Sequence, residues 1–343
     1  MHERGERLRT TGAGIYIYEN GLRVLEAVDA YDAAVKGAPT AHTREVRDGR
    51  DRLISVHRWA GSRVFSIVRQ NVIDALAASA MRAGVEIVTG SMATGAAPDG
   101  ELTLADGKHP KADLIVAADG SNSRLRDRLG LLAQRKYLVD GCTRLLLNKT
   151  PSERETTNGT ATIEYWSGTR RVLYTPCGRT DIYIALTMLD SDVAAKTVPV
   201  RKDLWKRAFP RLEALIDRIG EQGRYDRFDL IKLKRWSIGR VAILGDAAHA
   251  LPPNIGQGAG CAMMNALSLA VYLDGEKEVE DALQTWEHRE RPLTEHTQRI
   301  SYWLGLPTTW PPVLRAVALG IAGRSKWLVR QRTRTALHRP TGT

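Results

Sequence analysis

From Gly245 to Gly260 the chain reads GDAAHALPPNIGQGAG, directly after the apolar run Arg240 to Leu244. A buried strand of this kind delivers one carboxylate, Asp246, at its C-terminal end, where α/β proteins bind ligands. A carboxylate so placed accepts hydrogen bonds from hydroxyl groups, such as those of a sugar or sugar alcohol. Gly256, Gly258 and Ala259 then open a helix, whose first N–H groups and positive end would face the same crevice and favour negative charge on a bound ring. Pro252 and Pro253 stiffen the loop between. A Gly245-Asp246 pair alone could be an ordinary strand–turn–helix with a capping aspartate, but the whole stretch is far more specific. His249 could serve as an acid–base group, and we read it instead as a structural part of the loop.

A second segment, Asp113 to Arg124, reads DLIVAADGSNSR: a strand expected to be buried from Leu114 to Ala118, ending in Asp119-Gly120. Together the two segments resemble the paired fingerprints of the flavoprotein aromatic hydroxylases, the p-hydroxybenzoate hydroxylase-like FAD-dependent monooxygenases. The resemblance implies FAD as cofactor, NAD(P)H as co-substrate and O2 as oxidant, with oxygen adding at the flavin C4a position to give a hydroperoxide that attacks an activated ring. It implies FAD contacts from Gly245, Asp246, Pro253, Gly256, Gly258 and Ala259, and a place for Asp119 and Gly120 near both the FAD and the NAD(P)H path. Arg69, opening its helix, matches the arginine on the FAD pyrophosphate, and Glu3 falls where the family's ribose-binding acid ends a strand.

Within the family the likeness is greatest to the branch of 2-methyl-3-hydroxypyridine-5-carboxylate oxygenases, from Glu3 to about Arg299. It runs through Gly12 to Tyr16, Asn20 to Glu26, Leu173 to Cys177 and Gln257 to Met263, with Asn265 where many members carry Asp. By this likeness Tyr16, Arg171 and Tyr183 face the substrate cavity, Arg171 and Tyr183 at matched positions on adjacent strands. A planar guanidinium suits a carboxylate or phenolate, and a tyrosine can orient a ring hydroxyl or water. Arg44 departs from the pattern, which has tyrosine there. The expected substrate is a hydroxylated aromatic or heteroaromatic acid, with ring opening as a further outcome.

Composition sets the bounds. The 343 residues are 43% hydrophobic and 26% charged, ordinary for a globular protein with room for two domains. No run approaches the roughly 18 apolar residues of a membrane span. Val313 to Leu319 is read as a helix packed on the FAD domain rather than on a bilayer. Cys142, Cys177 and Cys261 lack the spacing of a disulfide framework or zinc site, so no metal and a cytoplasmic setting are expected. Part of the net charge of +11 sits in Arg324, Lys326, Arg330, Arg332, Arg334 and Arg339, read as a solvated helical face. No nucleic-acid signature accompanies it. A second copy of the chain is a candidate partner.

The elements that must position these residues form an α/β pattern interrupted by a β-rich stretch. Hairpin arms are expected at Thr43 to Val46 and Leu53 to His57, and a helix from Arg69 to Gly84 followed by a strand at Val85 to Val88. Alternating runs from Arg144 to Leu189 suggest an antiparallel sheet, with one helix near Lys202 to Ile219. The expected fold is a Rossmann-like FAD domain (1–42, 58–139, 236–275), an inserted, mainly antiparallel substrate domain (43–57, 140–235) and C-terminal helices (276–343). A strand, GxGxxG loop and helix are expected ahead of Glu3, where only Met1 and His2 stand, so the FAD domain reads as truncated. Two alternatives stand beside the monooxygenase: a remnant that holds no FAD, and a related flavoprotein epoxidase or reductase. A halogenase is disfavoured because Trp310-Pro311-Pro312 does not make its WxWxIP signature.

Overall fold

The computed structural model describes residues 1–8, 13–59, 62–155 and 161–343, so Thr11 and Gly12 of the opening turn lie outside them. Strand β1 (Gly14–Tyr18) leads into α1 (Glu19–Ala27) and the short α2 (Tyr31–Val35). The expected hairpin follows as β2 (Thr43–Asp48) and β3 (Leu53–Arg58), after which β4 (Val64–Val68) returns antiparallel to β1. Helix α3 (Arg69–Arg82) stops at Gly84, whose φ of 84° is the left-handed conformation that glycine tolerates. The strand expected at Val85 to Val88 shrinks to a single parallel bridge between Val88 and His2. A small hairpin, β5 (Ala93–Ala96) with β6 (Leu102–Leu104), comes next.

Strand β7 (Ile115–Ala117) runs to α4 (Arg124–Arg128), and β8 (Leu132–Asn148) is 17 residues long. Beyond α5 (Pro151–Glu155) come β9 (Ala161–Ser167), β10 (Arg170–Cys177) and β11 (Asp181–Leu189). The helix expected over Lys202 to Ile219 is broken into α6 (Lys202–Ala208), a 3-10 turn beginning at Pro210, and α7 (Glu213–Asp217). Proline supplies no N–H and clashes with the preceding turn, which explains the break. Then follow β12 (Arg224–Leu233), β13 (Ser237–Ile238) and β14 (Val241–Ile243). The chain closes with α8 (Asp246–His249), α9 (Gly258–Gly275), α10 (Val279–Gly305), α11 (Pro312–Arg324) and α12 (Lys326–Thr333).

The β-rich stretch is a seven-stranded sheet ordered β12-β8-β11-β10-β9-β2-β3, antiparallel throughout except for the parallel β2–β9 pair. Its period-2 alternation divides the labour between faces. One face turns Val172, Ile182, Ile184 and Leu186 onto Trp205 and Phe209 of α6 and its C-cap, a closed apolar core. The other face carries Arg44, Glu164, Arg171 and Tyr183 and forms the roof of a cavity. A second core surrounds the parallel pair β7–β14, where Trp236 and Trp286 meet with ring centroids 5.1 Å apart. The whole is the α/β fold with an inserted, mainly antiparallel sheet that the sequence predicts. One detail differs: Val116 in β7 is 45% exposed, so that strand is buried by Ile115 and Ala117 alone.

Helix α11 also departs from expectation. It lies on β3 of the substrate sheet, with Gly323 close enough that a Cβ there would stand 3.1 Å from Ser55 Cβ. Its outer face leaves Val313, Leu314, Val317 and Ile321 exposed. No helix among the described residues is long and apolar enough to cross a membrane.

Candidate active site

The parallel pairing of Ala117 with Ile243 brings the C-terminal ends of β7 and β14 side by side. Gly245 follows β14 with φ 63° and ψ −143°, a conformation open to glycine but strained for other residues, and it turns Asp246 into a crevice. Asp246 accepts no hydrogen bond from the described residues. Desolvation by the crevice walls raises its carboxyl above the ordinary range, and the nearby Arg69 charge offsets part of that. Arg69 is exposed at the start of α3, its own N–H donating to Ala13 O at 2.9 Å.

Across the crevice, the loop of Pro252 to Gln257 leads into α9. Gly256 is left-handed (φ 64°), and a Cβ there would meet Tyr18 Oη at 3.0 Å. At Gly258 a Cβ would meet nothing within 4 Å, so the first turn of this 18-residue helix opens onto free space. Asn20, fully buried on α1, fixes that start: its Nδ2 donates to Gln257 Oε1 at 3.0 Å, and its Oδ1 accepts from Gly21 N at 2.8 Å. Gly260 is required here, because a Cβ would lie 2.9 Å from both Asn20 Nδ2 and Gln257 Oε1. Ala259 packs beside α1, and Pro253 lines the adjoining cavity.

Asp119 and Gly120 (φ 83°) leave β7 at the same edge, and Asp119 Oδ2 accepts from Arg124 N at 3.1 Å. The two fingerprint segments are stitched together by Arg126, fully buried, whose Nη1 donates to Ser121 O at 3.0 Å and Ala247 O at 3.1 Å. Glu3, half-buried beside the His2–Val88 bridge, donates its N–H to Val88 O at 2.9 Å and accepts from Gly5 N at 2.7 Å. His249 is 2% exposed, its Nε2 accepts from Asn265 Nδ2 at 3.0 Å, and burial pushes its pKa down to about 4. It is a neutral, structural imidazole.

The Pro253–Asn254 part of the loop borders the sheet's polar face. Tyr16 bonds to Thr175 Oγ1, and Tyr183 packs so closely on β1 that a Cβ at Gly14 would come within 2.6 Å of its own. Burial raises both phenols well above the ordinary tyrosine range, so each is a neutral hydrogen-bonding group. Arg144, paired with Asp226 at 3.0 Å, bonds to Tyr183. Arg171 and Tyr183 share this face but are not cross-strand partners: Arg171 pairs with Thr187, and Tyr183 with Thr175. Four residues of strand put them roughly 13 Å apart along the sheet.

Arg171 is 7% exposed and already engaged. Its Nη2 donates to Asp140 Oδ2 at 2.7 Å, while Nη1 reaches Glu164 Oε1 at 3.5 Å and Asn254 Oδ1 at 3.4 Å. Glu164 in turn accepts from Arg44 at 2.6 Å. Burial pushes the Glu164 carboxyl up, but Arg44 and Arg171 more than reverse this and hold it below the usual range. Asp140 moves the other way, because burial outweighs its single arginine. Asn254 ties the loop to both arginines and, through Nδ2, to Ser301 O of α10 at 2.8 Å.

Glu164, Asp140 and Arg126 escape the sequence reading, which quotes Asn254 and Asn20 within its segments without giving them a role. Glu164 alone carries a signal: in ATIEYWS it shares strand parity with Thr162 and Trp166, a charge on an inward face. The basic tail needs a correction as well. Arg332 turns inward, with Nε and Nη2 buried and unpartnered, and Arg315 of α11 is only 4% exposed.

Comparison with known proteins agrees with this geometry. The model of an FAD binding domain matches residues 3–300. A 2-heptyl-3-hydroxy-4(1H)-quinolone synthase of Mycobacteroides abscessus is 42% identical, over 95% of this chain and 88% of that protein. The 6-hydroxynicotinate 3-monooxygenase of Bordetella bronchiseptica is 25% identical over 89% of this chain and 85% of its own. Among solved structures, the tetrameric form of 2-methyl-3-hydroxypyridine-5-carboxylic acid oxygenase superposes with a TM-score of 0.85 at 35% identity, covering 98% of this chain and 88% of that one. The two fingerprints, the open helix start between them and these matches agree: the chain belongs to the family of FAD-dependent aromatic-ring monooxygenases.

Proposed function

We propose that the chain hydroxylates a nitrogen-containing aromatic ring of the quinolone or pyridone type, using FAD, NAD(P)H and O2. The observation that carries this reading is that the loop running from Asp246 to α9 lines, through Pro253 and Asn254, both cavities that hold the neutral phenols, Tyr16 in one and Tyr183 in the other. The names of the similar proteins, all acting on or making six-membered nitrogen rings, support the ring class.

The residues fit FAD. Asp246 has a carboxylate with no hydrogen-bond partner among the described residues, Gly258 leaves open space at a helix N-terminus, and Arg69 lies within electrostatic reach of Asp246. Asp246 would accept from a ribityl hydroxyl, the N–H groups of α9 would face the ring's anionic edge, and Arg69 would meet the pyrophosphate. Bound FAD, reduced by NAD(P)H, supplies the activated oxygen. Tyr183 and Tyr16, holding their protons, donate to or accept from oxygen on the substrate ring, and Arg144 holds Tyr183 in place. Leu173 and Pro253 keep water from that part of the cavity. Arg171 fixes Asn254, and with it the loop beside the ring.

The test is NAD(P)H oxidation by the FAD-loaded protein across 2-alkyl-4-quinolones, hydroxypyridine carboxylates and phenols, with products read by mass spectrometry. Gain of one oxygen by a nitrogen heterocycle is expected. Turnover of carbocyclic phenols alone would overturn the ring class.

A further inference from the structure

Beyond the Arg44–Glu164–Arg171 row lies a further pocket between the sheet and α11, which Glu164 also lines. Arg44, Arg171 and Arg332 line it, and Arg315 stands behind it, its guanidinium 4.9 Å from the Trp166 ring that Arg171 also covers at 4.8 Å. Only two carboxylates, Asp140 and Glu164, pair with these four arginines among the described residues. Glu164 serves Arg44 and Arg171, and Asp140 serves Arg171. Among the described residues Arg315 finds only Thr308 O, at 3.4 Å, and Arg332 leaves Nε and Nη2 buried without a hydrogen-bond partner. Arg171 also has its Nε buried and unpartnered.

An interior with two guanidinium charges in excess is costly to assemble, because unpaired buried charge forfeits its hydration. Burial and the neighbouring Arg44 pull the Arg332 pKa down to about 10, which registers that cost. His57 adds no charge, since burial, Arg332 and Arg44 hold its pKa down to about 4. Besides Glu164, Ser55 and Asn254, the lining is mainly apolar, with Val46, Val56, Leu304, Leu319 and Ala322.

We propose that this chamber is an anion subsite, and that the ligand placed there is a carboxylate or similar acid group carried on an apolar stem. This rests on the ring-hydroxylating reading, because the chamber shares Arg44 and Asn254 with the two cavities beside Tyr16 and Tyr183. It gives the expected acid a different partner: Arg332, whose fork is free, rather than Arg171, whose fork is taken.

The test is calorimetric titration of the full chain with octanoate, octan-1-ol and acetate, in wild type, Arg332→Gln, Arg332→Lys and Leu319→Trp, each checked for unchanged far-UV circular dichroism. Octanoate is expected to bind at least tenfold more tightly than either octan-1-ol or acetate. Loss of a charge-assisted pair in Arg332→Gln weakens octanoate roughly ten- to a hundredfold, leaves octan-1-ol unchanged, and is partly rescued by Arg332→Lys. Leu319→Trp, which fills the chamber, blocks octanoate with Arg332 intact. Equal affinity for octanoate and octan-1-ol, or for octanoate and acetate, overturns the proposal, as does an Arg332→Gln protein of normal octanoate affinity. A chain that binds octanoate through Arg332 yet hydroxylates no ring would overturn the functional reading and leave the subsite standing. Ring hydroxylation without this binding would overturn the subsite alone.

Discussion

Arg44 Nη2 stands 2.6 Å from Glu164 Oε2, and the same carboxyl group reaches Arg171 through its other oxygen. One acid therefore spaces two arginines across β2, β9 and β10. Removing it leaves like charges facing one another in a confined site. Glu164→Gln is expected to lower unfolding stability by about 3 kcal/mol, since orphaning a buried ion-pair partner costs about 3–5 and the Arg44 side chain keeps some water. Urea denaturation measures this, and an unchanged midpoint would show that the pair is idle.

Asp246 is exposed into the crevice and accepts no hydrogen bond from the described residues. Asp246→Ala should therefore leave the melting temperature of the FAD-free protein nearly unchanged. Its FAD affinity should fall roughly ten- to a hundredfold, the worth of one charge-assisted hydrogen bond. Quenching of flavin fluorescence on titration gives both constants, and equal constants would remove Asp246 from the site.

Arg126→Met keeps most of the side-chain volume and removes the donors to Ser121 O and Ala247 O. Two carbonyl groups lose their partner, at about 1–3 kcal/mol for each group left unsatisfied. A stability loss of about 2–4 kcal/mol is expected, with weaker FAD binding because the segments after β7 and β14 are no longer joined. A variant as stable as wild type would mean that backbone packing alone aligns the two.

His249 gives the pH dependence a sign. Its folded pKa of about 4 lies below the ordinary value for histidine, so the unfolded chain binds the extra proton more readily. Stability from this group is complete at neutral pH and is lost as pH falls through the window from about 6.5 to about 4, amounting to about 3 kcal/mol. His57, also held near 4, contributes in the same window. Melting temperatures recorded from pH 7 to pH 4 should fall less steeply in His249→Phe than in wild type. Identical slopes would exclude His249 as a source.

What could be read in the sequence were the features encoded by short, local patterns. Asp246 and Gly258 sit in one contiguous stretch, and a strand–loop–helix with those glycines can hardly fold otherwise. Tyr183 and Arg171 were placed at one cavity by their likeness to family residues, and the structure does put both on one sheet face. Their separation was not legible, because register depends on which residues pair between β10 and β11, and two strands can slide by whole pleats without changing either pattern. The partners of Arg171 were hidden for a similar reason: Asp140 lies 31 residues away, on β8, beyond the intervening β11. The inward turn of Arg332 could not be inferred from a tail whose composition is that of a solvated face. Only the docking of α11 and α12 over β3 decides it.

The outer face of α11 has a kinetic consequence. Because Val313, Leu314, Val317 and Ile321 are already in water, releasing this helix from β3 newly hydrates its inner side alone, chiefly Arg315, Leu319 and Ala322, together with the sheet surface beneath it. Little apolar area changes hands, so this segment opens at a small fraction of the global unfolding free energy. Its amide protons should exchange with deuterium well ahead of those of α10, whose buried face includes Trp286, Thr297 and Ile300.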